Sequence, residues 1–166
     1  MKYDLTQTFD CSVEALEKAL LDPGLVSALA TSVRGFKEIE ETARTDEGGR
    51  VTRKLRVVAN VEVPSFARGK ITPDMMMWTE EQTYDRARKE LSFRIIPNKE
   101  SARGRFDAHG TQRLVAEGTR SRREIRGEIH IKLTLIGGIA ERFVAGEFQK
   151  NWADEAEVLR RQAAQG

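Results

Sequence analysis

Residues 2–9 alternate Tyr3, Leu5, Gln7 and Phe9 against Lys2, Asp4, Thr6 and Thr8, a period of two that predicts a half-buried strand. The period then lengthens. Ser12 is a candidate N-cap, Glu14 suits the positive end of a helix, and Leu16, Ala19 and Leu20 fall at helical spacing. "DPG" at 22–24 breaks that helix, and residues 25–30 predict a second short one.

From residue 36 onward the chain reads as strands. Residues 36–45 form the first, "DEGG" at 46–49 a turn, and residues 50–63 a long partner whose Val51, Leu55, Val57, Ala59, Val61 and Val63 share a face. Arg53 interrupts that face. Further strands are predicted over 75–86 and 91–96, the latter ending at the breaker "PN". Phe106, Ala108, Gly110 and Leu114 mark one face of the next, and Ile125, Gly127, Ile129, Ile131, Leu133 and Leu135 that of the last. "EGTRSRR" at 117–123 connects the two.

After Gly137 and Gly138 the pattern is helical to the end. Ile139, Phe143, Phe148, Trp152, Ala156 and Leu159 form an apolar stripe on a helix expected over about 138–163. The order is strand, two short helices, about six strands and one long helix. Short connections favour an antiparallel meander, and only the long helix is large enough to cover one face of the sheet. No internal repeat, low-complexity stretch or linker divides the chain, so a single α+β domain over 1–166 is expected.

That order, with the opening "YDLTQTF", the segment "SVEALEKALLDPGLVSAL" and the terminal "ERFVAGEFQKNWADEAEVL", resembles the START-like superfamily (SRPBCC, birch-pollen-allergen-like). "VEVPSFARGKI" followed by the tryptophan strand looks like an uncharacterised bacterial branch of it. The resemblance implies a helix-grip fold: a curved antiparallel sheet of about seven strands wrapped on a long C-terminal helix, with an apolar cavity between them. It implies no single reaction, because the superfamily spans lipid carriers, hormone-binding proteins, cyclases and chaperone activators.

The run Met75-Met76-Met77-Trp78 concentrates adaptable apolar surface in one place. Met76, Trp78, Gln82 and Tyr84 share one strand face and are expected to look into the cavity, since Trp and Tyr combine apolar area with a polar handle. The same residues would equally serve as core packing. Phe143 and Phe148 of the terminal helix are placed opposite. Arg53 either points inward, needing a carboxylate, a ligand group or solvent, or reaches water beside the turn, which is the favoured reading. Of Glu80 and Glu81, adjacent on a strand, one is expected to point inward.

Pro64 and Pro73 bracket an insert that carries Phe66 beside Arg68, Gly69 and Lys70. It suits a gate over the cavity or a transient contact with an anionic membrane, and equally an ordinary connection whose Phe66 caps the core.

At 166 residues, 39% hydrophobic, 33% charged and a net charge of +2, the chain reads as an ordinary globular protein with no global polyanion signal. Arg120, Arg122, Arg123 and Arg126 form a local basic run, but Glu117, Glu124 and Glu128 dilute it. A solvated hairpin tip is preferred there over a nucleic-acid site. His109, His130 and Cys11 show no ligand spacing, so neither metal nor cofactor is expected. No P-loop or G-x-S-x-G pattern occurs. The lone cysteine precludes an intramolecular disulfide, the opening segment lacks an apolar signal core, and no apolar stretch approaches the roughly 20 residues of a membrane span. These features fit a cytoplasmic protein.

The function expected is non-enzymatic binding of a hydrophobic or amphipathic small molecule, lipid being one class. The alternatives are a cyclase or aromatase-type enzyme using the same cavity, and an interaction or RNA-associated module using the basic hairpin. Oligomeric state is not legible.

Overall fold

The computed structural model describes residues 1–165. Seven strands, β1 (Lys2–Phe9), β2 (Phe36–Glu47), β3 (Arg50–Ala59), β4 (Met77–Asp85), β5 (Glu90–Pro97), β6 (Phe106–Glu117) and β7 (Arg120–Ile131), form one curved antiparallel sheet. Its order is β1-β7-β6-β5-β4-β3-β2, so five hairpin-like neighbours run in sequence and β1 closes the far edge against β7. Helices α1 (Val13–Leu21) and α2 (Leu25–Ser32) follow β1, α3 (Glu100–Arg103) is a single turn, and α4 (Gly137–Ala163) is the long terminal helix. The α+β helix-grip architecture is thus present, with α4 packed on β1 and β7 and flanked by α1 and α2.

Local chemistry accounts for the punctuation. Ser12 Oγ accepts the Ala15 N–H at 3.2 Å, capping α1. Asp22 Oδ1 accepts the Gly24 N–H at 2.6 Å and turns the chain into α2. Leu16, Leu20, Leu25 and Leu29 are buried and hold both helices to the core.

Three boundaries depart from the periodicity. β3 stops at Ala59 rather than residue 63, and short 3₁₀ turns at Ser65–Ala67 and Pro73–Met76 occupy the Pro-bracketed insert. Met75 and Met76 therefore precede β4 instead of opening it. β7 ends at Ile131, because Leu135 adopts a positive φ of 70° and the chain curls so that Gly137 N–H donates to the Leu133 carbonyl. Leu133 and Leu135 continue the alternation in sequence but not the strand.

Candidate functional site

Between α4 and the concave side of the sheet lie two adjoining cavities that share Trp78, Ile95, Phe148 and Asn151 as walls. Each is built by strand alternation. On β4, Trp78, Glu80, Gln82 and Tyr84 face inward, opposite Val57, Leu55, Arg53 and Val51 of β3 in register. Across β5, Glu80 meets Ile95 and Gln82 meets Phe93.

The outer cavity, about 150 Å³, is almost wholly apolar: Met75, Met76 and Ile71 close it from the insert, Phe106, Ile131 and Leu133 from the sheet side, Phe143 and Val144 from α4. The inner cavity, about 60 Å³, has a mixed wall in which Glu80, Gln82, Gln112, Asn151 and Glu155 stand among Phe36, Leu55, Phe93 and Trp152. Trp152 is fixed by an aromatic cluster, its ring centroid 5.3 Å from Tyr3, 6.1 Å from Phe93 and 5.6 Å from Phe148. Two glycines paired across β6 and β7, Gly110 and Gly127, make the notch over which the Phe93 and Tyr3 rings lie.

The polar groups are not equivalent. Gln82 Nε2 donates to Glu80 Oε1 at 2.7 Å. The Glu80 carboxyl is pushed up to about 7, chiefly by burial and further by Glu155, against the opposing effect of the Gln82 hydrogen bond and of Arg53. Arg53 is buried and donates to the Leu20 carbonyl at 3.1 Å; burial, reinforced by Arg44, pulls its guanidinium below its ordinary value. Arg123 is wholly buried and fully engaged: Nε donates to Gln7 Oε1 at 2.9 Å, Nη1 to Gln112 Oε1 at 3.2 Å, and Nη1 lies 3.1 Å from Glu155 Oε2. It fixes Glu155 and Gln112 in the inner wall. Among the described residues, three buried polar atoms of this region have no partner within the protein: Trp78 Nε1 and Gln82 Oε1 on two lining residues, and the Tyr3 hydroxyl, which faces Glu80 from β1.

Among the residues singled out from the sequence, Met76, Trp78, Phe143 and Phe148 line the outer cavity, and Trp78, Gln82 and Phe148 the inner one. Tyr84 does not: it points inward but lies too far along β4, beneath α1, where its hydroxyl donates to Glu17 Oε1 at 2.9 Å and Lys89 pairs with the same carboxylate at 2.7 Å. Arg53 corrects the expectation of a solvated strand end; α1 covers it, and a main-chain carbonyl takes its charge-assisted hydrogen bond. Phe66 lines neither cavity; it is 39% exposed, while the neighbouring Ala67 is buried.

Arg123 corrects the reading of the basic run as a solvated tip. Its parity with Ile125, Gly127 and Ile129 placed it inside, a signal outweighed by its charged neighbours. Those neighbours do lie outward, and carboxylates meet them: Arg120 with Asp10, Arg122 with Glu117 and Glu124, Arg126 with Asp4. Of Glu80 and Glu81 it is Glu80 that faces in, while Glu81 pairs with Lys54 at 2.7 Å. Trp152 lies on the helix stripe legible in sequence, whereas Glu155 and Asn151 are polar positions beside it whose role needed the sheet to be in place.

Among the described residues no group of three or more His, Cys, Asp or Glu is arranged to hold a metal ion, and no helix is long and apolar enough to cross a membrane.

A family profile described as "Protein of unknown function (DUF2505)" matches residues 4–162. A search of curated proteins finds no significant match. Among solved structures, a protein from Thermus thermophilus is 18% identical with a TM-score of 0.68, covering 99% of this chain and 97% of that one. The Zhui aromatase/cyclase from a Streptomyces species is 15% identical with a TM-score of 0.65, covering 99% and 93%. Norcoclaurine synthase from Thalictrum flavum, in complex with dopamine and hydroxybenzaldehyde, is 17% identical with a TM-score of 0.67, covering 99% and 87%. At such identities the likeness is one of fold alone, the START-like helix-grip fold.

Proposed function

We propose that this chain, which belongs to the DUF2505 family, binds a compact amphipathic small molecule, its apolar body in the outer cavity and its polar end against the inner wall. The observation that carries this reading is the change of chemistry between two adjoining cavities, from an almost wholly apolar wall to one whose residues carry buried polar atoms still lacking partners. Apolar area leaving water supplies affinity at about 25 cal/mol per Å², and the polar end supplies orientation. Volumes of about 150 and 60 Å³ favour a molecule of one or two rings or a short chain over a long-chain lipid, since about 150 Å³ suits a benzene-sized guest.

Both tryptophans of the chain, Trp78 and Trp152, line the inner cavity, so intrinsic fluorescence reports directly on occupancy. Native mass spectrometry of freshly purified protein is expected to show a small adduct, and single-ring probes to change tryptophan emission saturably. Ile95→Phe, which puts a ring into the wall common to both cavities, is expected to abolish that change. Emission unmoved by any such probe, with no adduct, would overturn the reading.

A cyclase or aromatase-type activity is the second reading, and Glu80 favours it. A carboxyl held near neutrality in a cavity wall can both take and return a proton at physiological pH. Turnover that disappears in Glu80→Gln while probe binding survives would establish it; Glu80→Gln with full turnover would exclude Glu80 from the chemistry.

The mouth supports transient contact with an anionic membrane as the access step. Leu135 at 93%, Ile139 at 43% and Phe66 are the exposed large hydrophobics, on the two segments that line the outer cavity, with Arg68, Lys70, Lys132 and Arg142 exposed beside them. Sedimentation with phosphatidylglycerol vesicles but not with phosphatidylcholine vesicles, lost in Leu135→Asp, is the expected result. Equal recovery with both lipids would remove this step.

A further inference from the structure

Two residues of the inner wall, Trp78 and Gln82, carry one unused donor and one unused acceptor, while the unpartnered Tyr3 hydroxyl lies behind them toward β1 and does not belong to a lining residue. An indole N–H only donates and an amide oxygen only accepts, and here both are buried without a partner. Trp78 and Gln82 sit on the same face of β4, two residues either side of Glu80, so the pair brackets a carboxyl that accepts only one identified hydrogen bond, from Gln82. A buried polar group without a partner costs free energy that a ligand of matching pattern recovers.

We propose that the inner cavity is a subsite for a neutral hydroxyl carried on an apolar ring, an alcohol or a phenol, whose oxygen accepts from Trp78 Nε1 and whose proton is donated to Gln82 Oε1. This rests on the cavity being a binding site at all, and it names the polar end of the ligand.

Other head groups match less well. A hydrocarbon leaves both atoms unpaired, and an ether or ketone, which only accepts, leaves Gln82 Oε1 unpaired. An ammonium has no acceptor for the indole N–H. A carboxylate would face Glu80 on β4 and Glu155 on α4. The cations nearby are already engaged, Arg123 of β7 with Glu155, Gln7 and Gln112, and Arg53 of β3 with the Leu20 carbonyl. A hydroxyl is the smallest group that answers a donor and an acceptor together, and it adds no charge beside Glu80 and Glu155.

The test uses a matched pair of probes, 4-methylphenol and 1,4-dimethylbenzene, which differ by a hydroxyl in place of a methyl. Affinities are read from tryptophan emission in the full chain. The phenol is expected to bind roughly tenfold tighter, the scale of satisfying buried groups that otherwise stay unpaired. Gln82→Met, of similar length, removes the acceptor and is expected to bring the ratio of the two affinities to within about twofold of one, whichever way each affinity moves by itself. Trp78→Phe provides the same comparison through Trp152 emission should the first variant fold poorly. If both probes bind equally to the natural sequence, the hydroxyl subsite is wrong and the apolar cavity stands. If neither binds, the cavity reading falls with it.

Discussion

Replacing Arg123 by Met tests the construction of the inner wall most directly. The side chain has no exposed surface and its guanidinium meets Gln7, Gln112, the Trp152 carbonyl and Glu155. Methionine fills much of the same volume, so the loss is electrostatic rather than steric. It strands the Glu155 carboxylate, which is only 15% exposed, and leaves Gln7 and Gln112 oxygens short of a donor. Breaking a buried pair by removing one partner costs about 3–5 kcal/mol, and the residual exposure of Glu155 puts the expectation near the lower end, about 3 kcal/mol. In urea that moves the midpoint down by roughly 1–2 M, and it lowers Tm by roughly 6–12 °C for a chain of this length. Adding Glu155→Met is expected to restore part of the loss, because the double variant leaves no unpaired charge. A single-variant loss below about 1 kcal/mol, the size expected of an arginine on a solvated hairpin, would refute the buried network.

Glu80→Gln probes linkage. The folded carboxyl titrates at about 7 and the unfolded one near its ordinary 4.5, so between those values only the folded state holds the proton. Stability therefore falls as pH rises from about 4.5 through 7 and levels off above. The groups that face this carboxyl are Arg53 from β3, Glu155 from α4 and Tyr3 from β1. The variant is expected to be more stable than the natural sequence by about 2 kcal/mol at pH 8 and equal to it at pH 4, at about 1.4 kcal/mol per pH unit with allowance for screening; parallel urea midpoints across pH 4–8 would exclude it. For Gly127→Ala, the new methyl would run into the Tyr3 hydroxyl and the His109 carbonyl oxygen, so a loss of about 1–3 kcal/mol is expected in thermal melts, and an unchanged Tm would mean that the notch is not needed. Ser12→Ala, which removes the cap of α1, is expected to cost about 1 kcal/mol, with no change in probe affinity.

The strands and helices were legible because alternation and helical spacing survive in single segments: Tyr3 to Phe9 and Ile125 to Ile131 state their faces without reference to any partner. The outer cavity was legible for the same reason, since Met76, Trp78, Phe143 and Phe148 are apolar residues on predictable faces. The inner wall was harder. Arg53 and Arg123 obey parity, but a charge on an apolar face reads as an interruption until the Leu20 carbonyl and Glu155, remote in sequence, are seen to receive it. Tyr84 failed in the opposite way. Parity put it on the correct face, yet position along the strand, set by where α1 crosses, decided that it meets Glu17 rather than the cavity. Strand ends were misplaced where main-chain geometry, such as the positive φ of Leu135, ended a pattern that the side chains continued.

The strand order has a consequence for how the molecule assembles. β2 to β7 pair each with its sequence neighbour, but β1 finds its partner in residues 121–128, more than a hundred positions away. A chain emerging N-terminus first must hold its opening segment unpaired until nearly all of the meander exists, and such long closures slow folding. The contacts of Arg123 with Gln7 of β1 and Glu155 of α4 join both late arrivals to the same side chain. The inner cavity is therefore completed by the last elements to dock, and any intermediate lacking them exposes the concave face of the sheet to whatever hydrophobic surface is nearest.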